Sequence, residues 1–173
     1  RRKNLLLRDL DELVNQQLSK MLFANPQRID YYDRYQEIID AYNAEQNRAT
    51  IEKTFMDLME LASSLDTEQQ RYVREGFSSD EELSVYDLLF SENLTKQEIE
   101  TIKKVSVDLL TKIKQQIAKL DHWTDKQETK AIVDNLIRNT LWQELPNSYD
   151  VSDIQTYQKK IYEYVYMRYP EVA

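Results

Sequence analysis

The chain has 173 residues, 31 acidic against 23 basic, for a net charge of −8, with one histidine and no cysteine. That length fits a single helical domain over 1–173, or at most two small subdomains, and is long enough to bury a real core, while the missing cysteines exclude disulfides, thiolate zinc sites and a cysteine nucleophile. One glycine and three prolines leave little material for hairpins, so Leu, Ile, Lys, Glu and Gln at helical spacing predict an all-α fold, an irregular bundle of about seven to eight helices.

Residues 3–23 open the chain with Leu5, Leu6, Leu10, Leu13, Leu18 and Leu22 in a helix with charged residues between, a packing helix or, in the sharper reading, the tail of a helix arriving from a preceding domain. Asn25-Pro26 restarts it, with Asn as N-cap and Pro at the first helical position, where its missing N–H costs nothing. The next helix sets Ile29, Tyr32, Tyr35, Ile38, Ile39 and Tyr42 on one face. Tyrosines at that spacing are core-edge residues whose hydroxyls reach a polar partner. The interleaved Asp30, Asp33, Glu37 and Asp40 speak against a base-stacking platform. Thr50 to Leu65 makes another helix, with Ile51, Phe55, Leu58, Met59 and Ala62 inward. Asp66-Thr67 is expected to cap a short helix ending at Gly76, which fits the left-handed residue after a helix end. Residues 79–90 add a short helix with Leu83, Tyr86, Leu89 and Phe90 as its apolar side.

Asn93 to Pro146 reads as two long amphipathic helices in an antiparallel pair. Thr95 and Glu98 form a capping box, and Ile99, Ile102, Val105, Leu109, Leu110, Ile113, Ile117 and Leu120 make one wide apolar stripe. Thr124 and Gln127 suggest a second box, before a stripe through Ala131, Leu136, Ile137, Leu141 and Leu145. Ser152 and Gln155 suggest a third, opening a last helix that buries Ile154, Tyr157, Ile161, Tyr164 and Val165. Tyr162, Tyr166 and Tyr169 add a second aromatic row on that helix. A helix apolar on two sides is either enclosed or touches a partner.

Charge is uneven along the chain. Residues 1–94 carry 11 basic against 19 acidic side chains, whereas residues 95–173 carry 12 of each. The shift suggests a subdivision into an acidic helical half, 1–94, and the long pair with the last helix, 95–173. An acidic front half repels a phosphate backbone. Lys103, Lys104, Lys112, Lys114 and Lys119 scatter over the polar side of the first long helix, a solvated face by default and a weak phosphate track otherwise.

Chemical motifs are sparse. No glycine-rich phosphate loop is present, and the lone His122, beside Trp123 at a helix corner, reads as a capping or surface residue. Asp121 or Asp125 with Glu128-Thr129-Lys130 superficially matches the D…E-x-K of many nucleases. That motif sets its Glu and Lys on a strand, whereas here they open a helix. No catalytic, cofactor-binding or metal-ligating residue is assigned. No run approaches the ~18 apolar residues of a membrane span and there is no signal peptide, so a soluble, intracellular chain is expected. The start at Arg1 without Met suggests a piece of a longer protein.

Four blocks point further: NPQRIDYYDRYQEIIDAYN, IEKTFMDLMELASSLDTEQQRYVREGF, LTKQEIETIKKVSVDLLTKIK and W…LWQELP…YVYMRYP. In this order, from about Leu10 to Pro170, they resemble the C-terminal helical domain of the restriction (motor) subunit of type I restriction–modification enzymes. The resemblance implies a parent with a D…E-x-K endonuclease domain and two RecA-like helicase lobes that hydrolyse ATP, with magnesium, to translocate DNA. It implies a bacterial or archaeal cytoplasmic protein. The helical domain would follow the nuclease and helicase domains and dock the motor onto the methyltransferase core of modification and specificity subunits, meeting DNA through that complex. None of the four blocks is catalytic, so ATP and magnesium belong to the parent and no site residue carries over. Two readings follow. The first is a non-catalytic assembly domain with Tyr162, Tyr166, Arg168 and Tyr169 at the contact. The alternative is a DNA-guiding domain working through the five lysines.

Overall fold

The computed structural model describes residues 2–172, with side chains from Asn4 onward. Among the described residues the fold is all-α, with eight α-helices, two 3-10 turns and no strand. It forms two compact units, Arg1–Asp80 and Glu81–Ala173. The 94/95 subdivision drawn from charge falls within the second unit, in the loop before its longest helix. Counted by unit, the charges are even: 11 basic against 15 acidic residues in the first, 12 against 16 in the second.

In the first unit, α1 (Arg2–Ala24), α2 (Ile29–Ala44) and α3 (Arg48–Gln69) pack on one another. Tyr35 of α2 donates its hydroxyl to Asp11 of α1 at 2.6 Å, and Gln17 of α1 donates to Asp66 of α3 at 2.9 Å. These pins make the bundle run up, down and up. Leu7, Val14, Leu18, Met21, Tyr35, Leu58, Leu61 and Leu65 form its core. Fully burying each such leucine contributes about 1.5–3 kcal/mol. Asn25 caps the 3-10 turn Pro26–Arg28 by accepting from the Gln27 amide, as expected.

That turn delivers Arg28 into the interior, where it is 2% exposed beside Glu68 at 5%. Arg28 Nε donates to Glu68 at 2.9 Å, its two terminal nitrogens grip Asp80 at 3.0 and 2.6 Å, and Nη1 also reaches the Met21 carbonyl at 3.3 Å. Arg71 adds a second cation to Glu68 at 2.8 and 3.1 Å. Burial by itself favours neutral forms. The hydrogen bonds outweigh it, lowering the Glu68 pKa and raising that of Arg28. One buried fork thus ties the end of α1, the end of α3 and Asp80 together.

The second unit holds α5 (Asp80–Leu89, its first residue closing the first unit), α6 (Lys96–Ala118), α7 (Gln127–Glu144) and α8 (Val151–Arg168), after α4 (Arg71–Arg74) in the first. Leu83, Ser84, Val85, Tyr86, Leu88 and Leu89 of α5 are all buried, which makes it a core helix rather than an amphipathic cover. The Thr95–Glu98 capping box forms as expected, and α6 buries Ile102, Val105, Leu109, Leu110, Ile113 and Ile117. Packed on α6, α7 itself receives α8, with Gln158 of α8 donating to Asp134 of α7 at 3.0 Å. Buried Tyr149, ahead of α8, donates its hydroxyl to the Leu89 carbonyl at 2.5 Å.

Several local expectations are corrected. On α1 the inward face is Leu7, Val14, Leu18 and Met21, while Leu5, Leu6 and Leu13 are exposed. A leucine-rich helix offers more than one stripe at the same period, and its packing partners choose among them. Met59, Phe90 and Ala131 are likewise exposed, as are Ile29 and Tyr32. Asp66-Thr67 caps nothing: α3 runs through to Gln69, and Thr67 Oγ1 donates back to the Ser63 carbonyl at 3.1 Å. Gly76 does adopt φ +85° as expected. Thr124 lies inside a 3-10 turn and α7 starts from Lys126, with no side-chain cap. Ser152 lies inside α8, whose capping box is Asp150 with Asp153. The chain leaving Tyr149 puts Asp150, not Ser152, in the extended cap conformation (φ −81°, ψ 178°).

Candidate partner-binding surfaces

The aromatic row of α8 does not stay together. Tyr162 and Tyr166 sit edge-on to Trp123, with centroids 6.0 and 5.8 Å away and interplanar angles of 78 and 84°. Trp123 is fully buried and donates Nε1–H to the Tyr169 carbonyl at 2.7 Å. Thr129 Oγ1 donates to the Trp123 carbonyl at 2.6 Å, which fixes the corner between α6 and α7. Edge-to-face contacts of this kind add about 0.5–1.5 kcal/mol each beyond burial. Tyr162 is therefore half-buried bracing, whereas Tyr166 keeps 38% of its surface and has Lys130 Nζ 6.0 Å from its ring centroid. Met167, its neighbour, is exposed.

Tyr169 and Arg168 belong to a different cluster. The Tyr169 hydroxyl donates to Glu81, and Lys114 holds the same carboxylate at 3.0 Å while lying 5.5 Å from the Tyr169 ring. Burial, with Tyr164 and Glu81 nearby, pushes the Tyr169 phenol far up, so it stays protonated as the donor. Burial opposes ionisation of Glu81 as well, but the bonds from Tyr169 and Lys114 prevail and lower its pKa. Arg168 lies over Tyr164, its guanidinium carbon 4.4 Å from the ring centroid. Arg168 and Tyr169 are both half-buried, and it is Tyr169 that fastens the end of α8 to α5 and α6.

Of the five lysines, Lys112 bridges Asp108 at 2.9 Å and Glu144 at 3.1 Å, and hydrogen bonds to those acids raise its pKa. Lys114 is held by Glu81, and Lys103 lies 5.9 Å from the Tyr86 ring. Lys104 and Lys119 are exposed. Three of the five thus serve contacts within the unit, and they do not line one stripe.

His122 takes a left-handed conformation (φ 47°) at an exposed corner, with Asp121 and Glu171 at 3.5 and 3.7 Å. Asp121, Asp125 and Glu128 are all exposed around that corner, and among the described residues no group of three or more His, Asp or Glu side chains is placed to hold a metal ion. No described helix is long and apolar enough to cross a membrane. Sequence reasoning missed Trp142, half exposed on the outer side of α7 with Arg138 one turn before it. In the sequence analysis it stands only within the block LWQELP. The signal was available: Trp142 falls one residue after the buried Leu141, off the apolar stripe.

No curated protein and no solved structure matches the chain. A family model described as type I restriction enzyme HindI endonuclease subunit-like, C-terminal, matches residues 1–169. A helical chain without an assigned catalytic residue, matched along nearly its whole length, belongs to that family: it is a C-terminal domain of the type I restriction endonuclease subunit kind.

Proposed function

We propose that this chain is the non-catalytic assembly domain of a type I restriction endonuclease subunit, docking the ATP-dependent translocase and nuclease onto the methyltransferase core of modification and specificity subunits. The observation that carries the reading is a set of large side chains left at the surface of the second unit. Tyr166 and Met167 on α8, and Trp142 with Arg138 on α7, are exposed. Trp, Tyr, Met and Arg are the residues enriched at the centres of protein interfaces. Tyr162 and Tyr169 act behind them, by fixing the corner and the end of α8, while Arg168 lies over Tyr164 of its own helix.

The test is co-elution of the chain with its cognate methyltransferase complex on size exclusion, with and without DNA, at moderate and high salt. Co-migration that survives salt and needs no DNA supports docking, and Trp142→Ala with Tyr166→Ala should weaken it while leaving the helical signal intact. Co-migration only with DNA, lost as salt rises, favours the duplex-guiding alternative. The exposed Lys104 and Lys119 are what that alternative retains. Absence of co-migration in every condition refutes docking by this chain.

A further inference from the structure

A groove runs along the seam between α1 and α3. Leu6, Ile51, Glu52, Phe55 and Met56 line an open cavity of about 380 Å³. Because α1 and α3 run parallel, with Gln17 bonded to Asp66 further along, the helical repeat carries the strip on to Leu13, seven residues past Leu6, and to Met59, four past Phe55. Leu6, Leu13, Met56 and Met59 are 54, 65, 70 and 52% exposed. Beneath them Leu7, Val14, Leu58 and Leu61 are buried, so the core is already closed and the strip is surplus to it. Scattered apolar residues on a surface need no explanation, but an apolar cavity continued along both helices by exposed apolar side chains does.

Its form selects an occupant. From Leu6 to Leu13 is about 10 Å of helix, the i to i+7 reach of one face of a docked helix. The unbranched Met56 and Met59 can adapt to the side chains set against them. Around the strip the exposed acids Asp9 and Glu60 are in excess, since the bases there are each matched by an acid of their own: Arg8 by Glu12 at 3.6 Å, Arg48 by Glu52 at 3.3 Å and Lys53 by Asp57 at 2.6 Å. An acidic rim repels nucleic acid and anionic lipid. It also opposes a second copy of a chain carrying −8, which would set like charges against each other.

We propose that the α1/α3 groove receives an amphipathic helix of a partner protein, with apolar side chains at i, i+3 or i+4 and i+7 and Lys or Arg on its flanks. The inference concerns the first unit and does not depend on the docking reading of the second.

The experiment uses two labelled, stapled helical peptides of about four turns, both with leucines at that spacing, one flanked by lysines and the other by glutamates. Fluorescence anisotropy with the 173-residue chain should give saturable binding of the lysine peptide, at least about tenfold tighter than the glutamate peptide. Leu13→Glu and Met56→Glu should each abolish it. Both positions are exposed, so circular dichroism should report unchanged helix in the variants. No binding of the lysine peptide overturns the proposal, as does equal binding of the two peptides. Binding undiminished in both variants overturns it too. So does sedimentation showing a dimer of the free chain that Leu13→Glu dissolves, which gives the groove to a second copy.

Discussion

Arg28→Met should remove about 3 kcal/mol of stability. Taking one partner from a buried ion pair costs about 3–5 kcal/mol, because the other charge stays behind in a medium that solvates it poorly. The lower end applies here for two reasons. Glu68 keeps Arg71 at 2.8 and 3.1 Å, and Asp80, at 31% exposure, can turn to water. Methionine fills much of the arginine stem's volume, so little cavity term is added. A folded unit of 80 residues holds about 4–12 kcal/mol in total, so the substitution is severe without being certain to unfold it. Urea denaturation followed by circular dichroism measures the loss. A double-mutant cycle with Glu68→Gln isolates the pair and should return a coupling of at least about 1.5 kcal/mol. A loss under about 1 kcal/mol, or additive single mutants, would refute the claim that this fork fastens the first unit.

The same carboxylate sets a pH dependence. Glu68 has a lowered pKa in the fold, so its contribution is complete above the ordinary value of 4.5 and is lost as pH falls through the folded one. Arg28→Met should flatten that acid slope of stability, read by urea midpoints between pH 6 and 3 at about half-unit steps. Trp123→Ala, which removes a fully buried indole, should cost about 3–5 kcal/mol, whereas Trp142→Phe should stay within about 0.5 kcal/mol. Equal losses at the two positions would overturn the assignment of one tryptophan to the core and the other to the surface. Asp150→Ala should destabilise by about 1 kcal/mol through loss of the α8 cap, while Ser152→Ala should do almost nothing. The reverse ranking in thermal melts would restore the cap that the sequence suggested.

The sequence by itself determined the helical class, the long α6 and α7 segments, the Thr95–Glu98 box, the Asn25-Pro26 restart and the left-handed Gly76. Each is a local matter of spacing, cap chemistry or backbone freedom, and local rules decide it. The family was legible as well, through four blocks in order. Which of several apolar stripes on α1 faces inward was not, because Leu6–Leu13 and Leu7–Val14 repeat at the same spacing and only packing against α2 and α3 separates them. Nor could spacing reveal that the α8 tyrosines divide, two bracing Trp123 and one bonding Glu81, since their partners lie in other helices. The buried Arg28–Glu68–Asp80 fork joins residues 40 and 52 positions apart, and no pattern along the chain announces it. Period fixes what a residue's own helix does; only tertiary contact decides which charges are buried together and which apolar side chains, such as Leu6 and Met56, are left facing water.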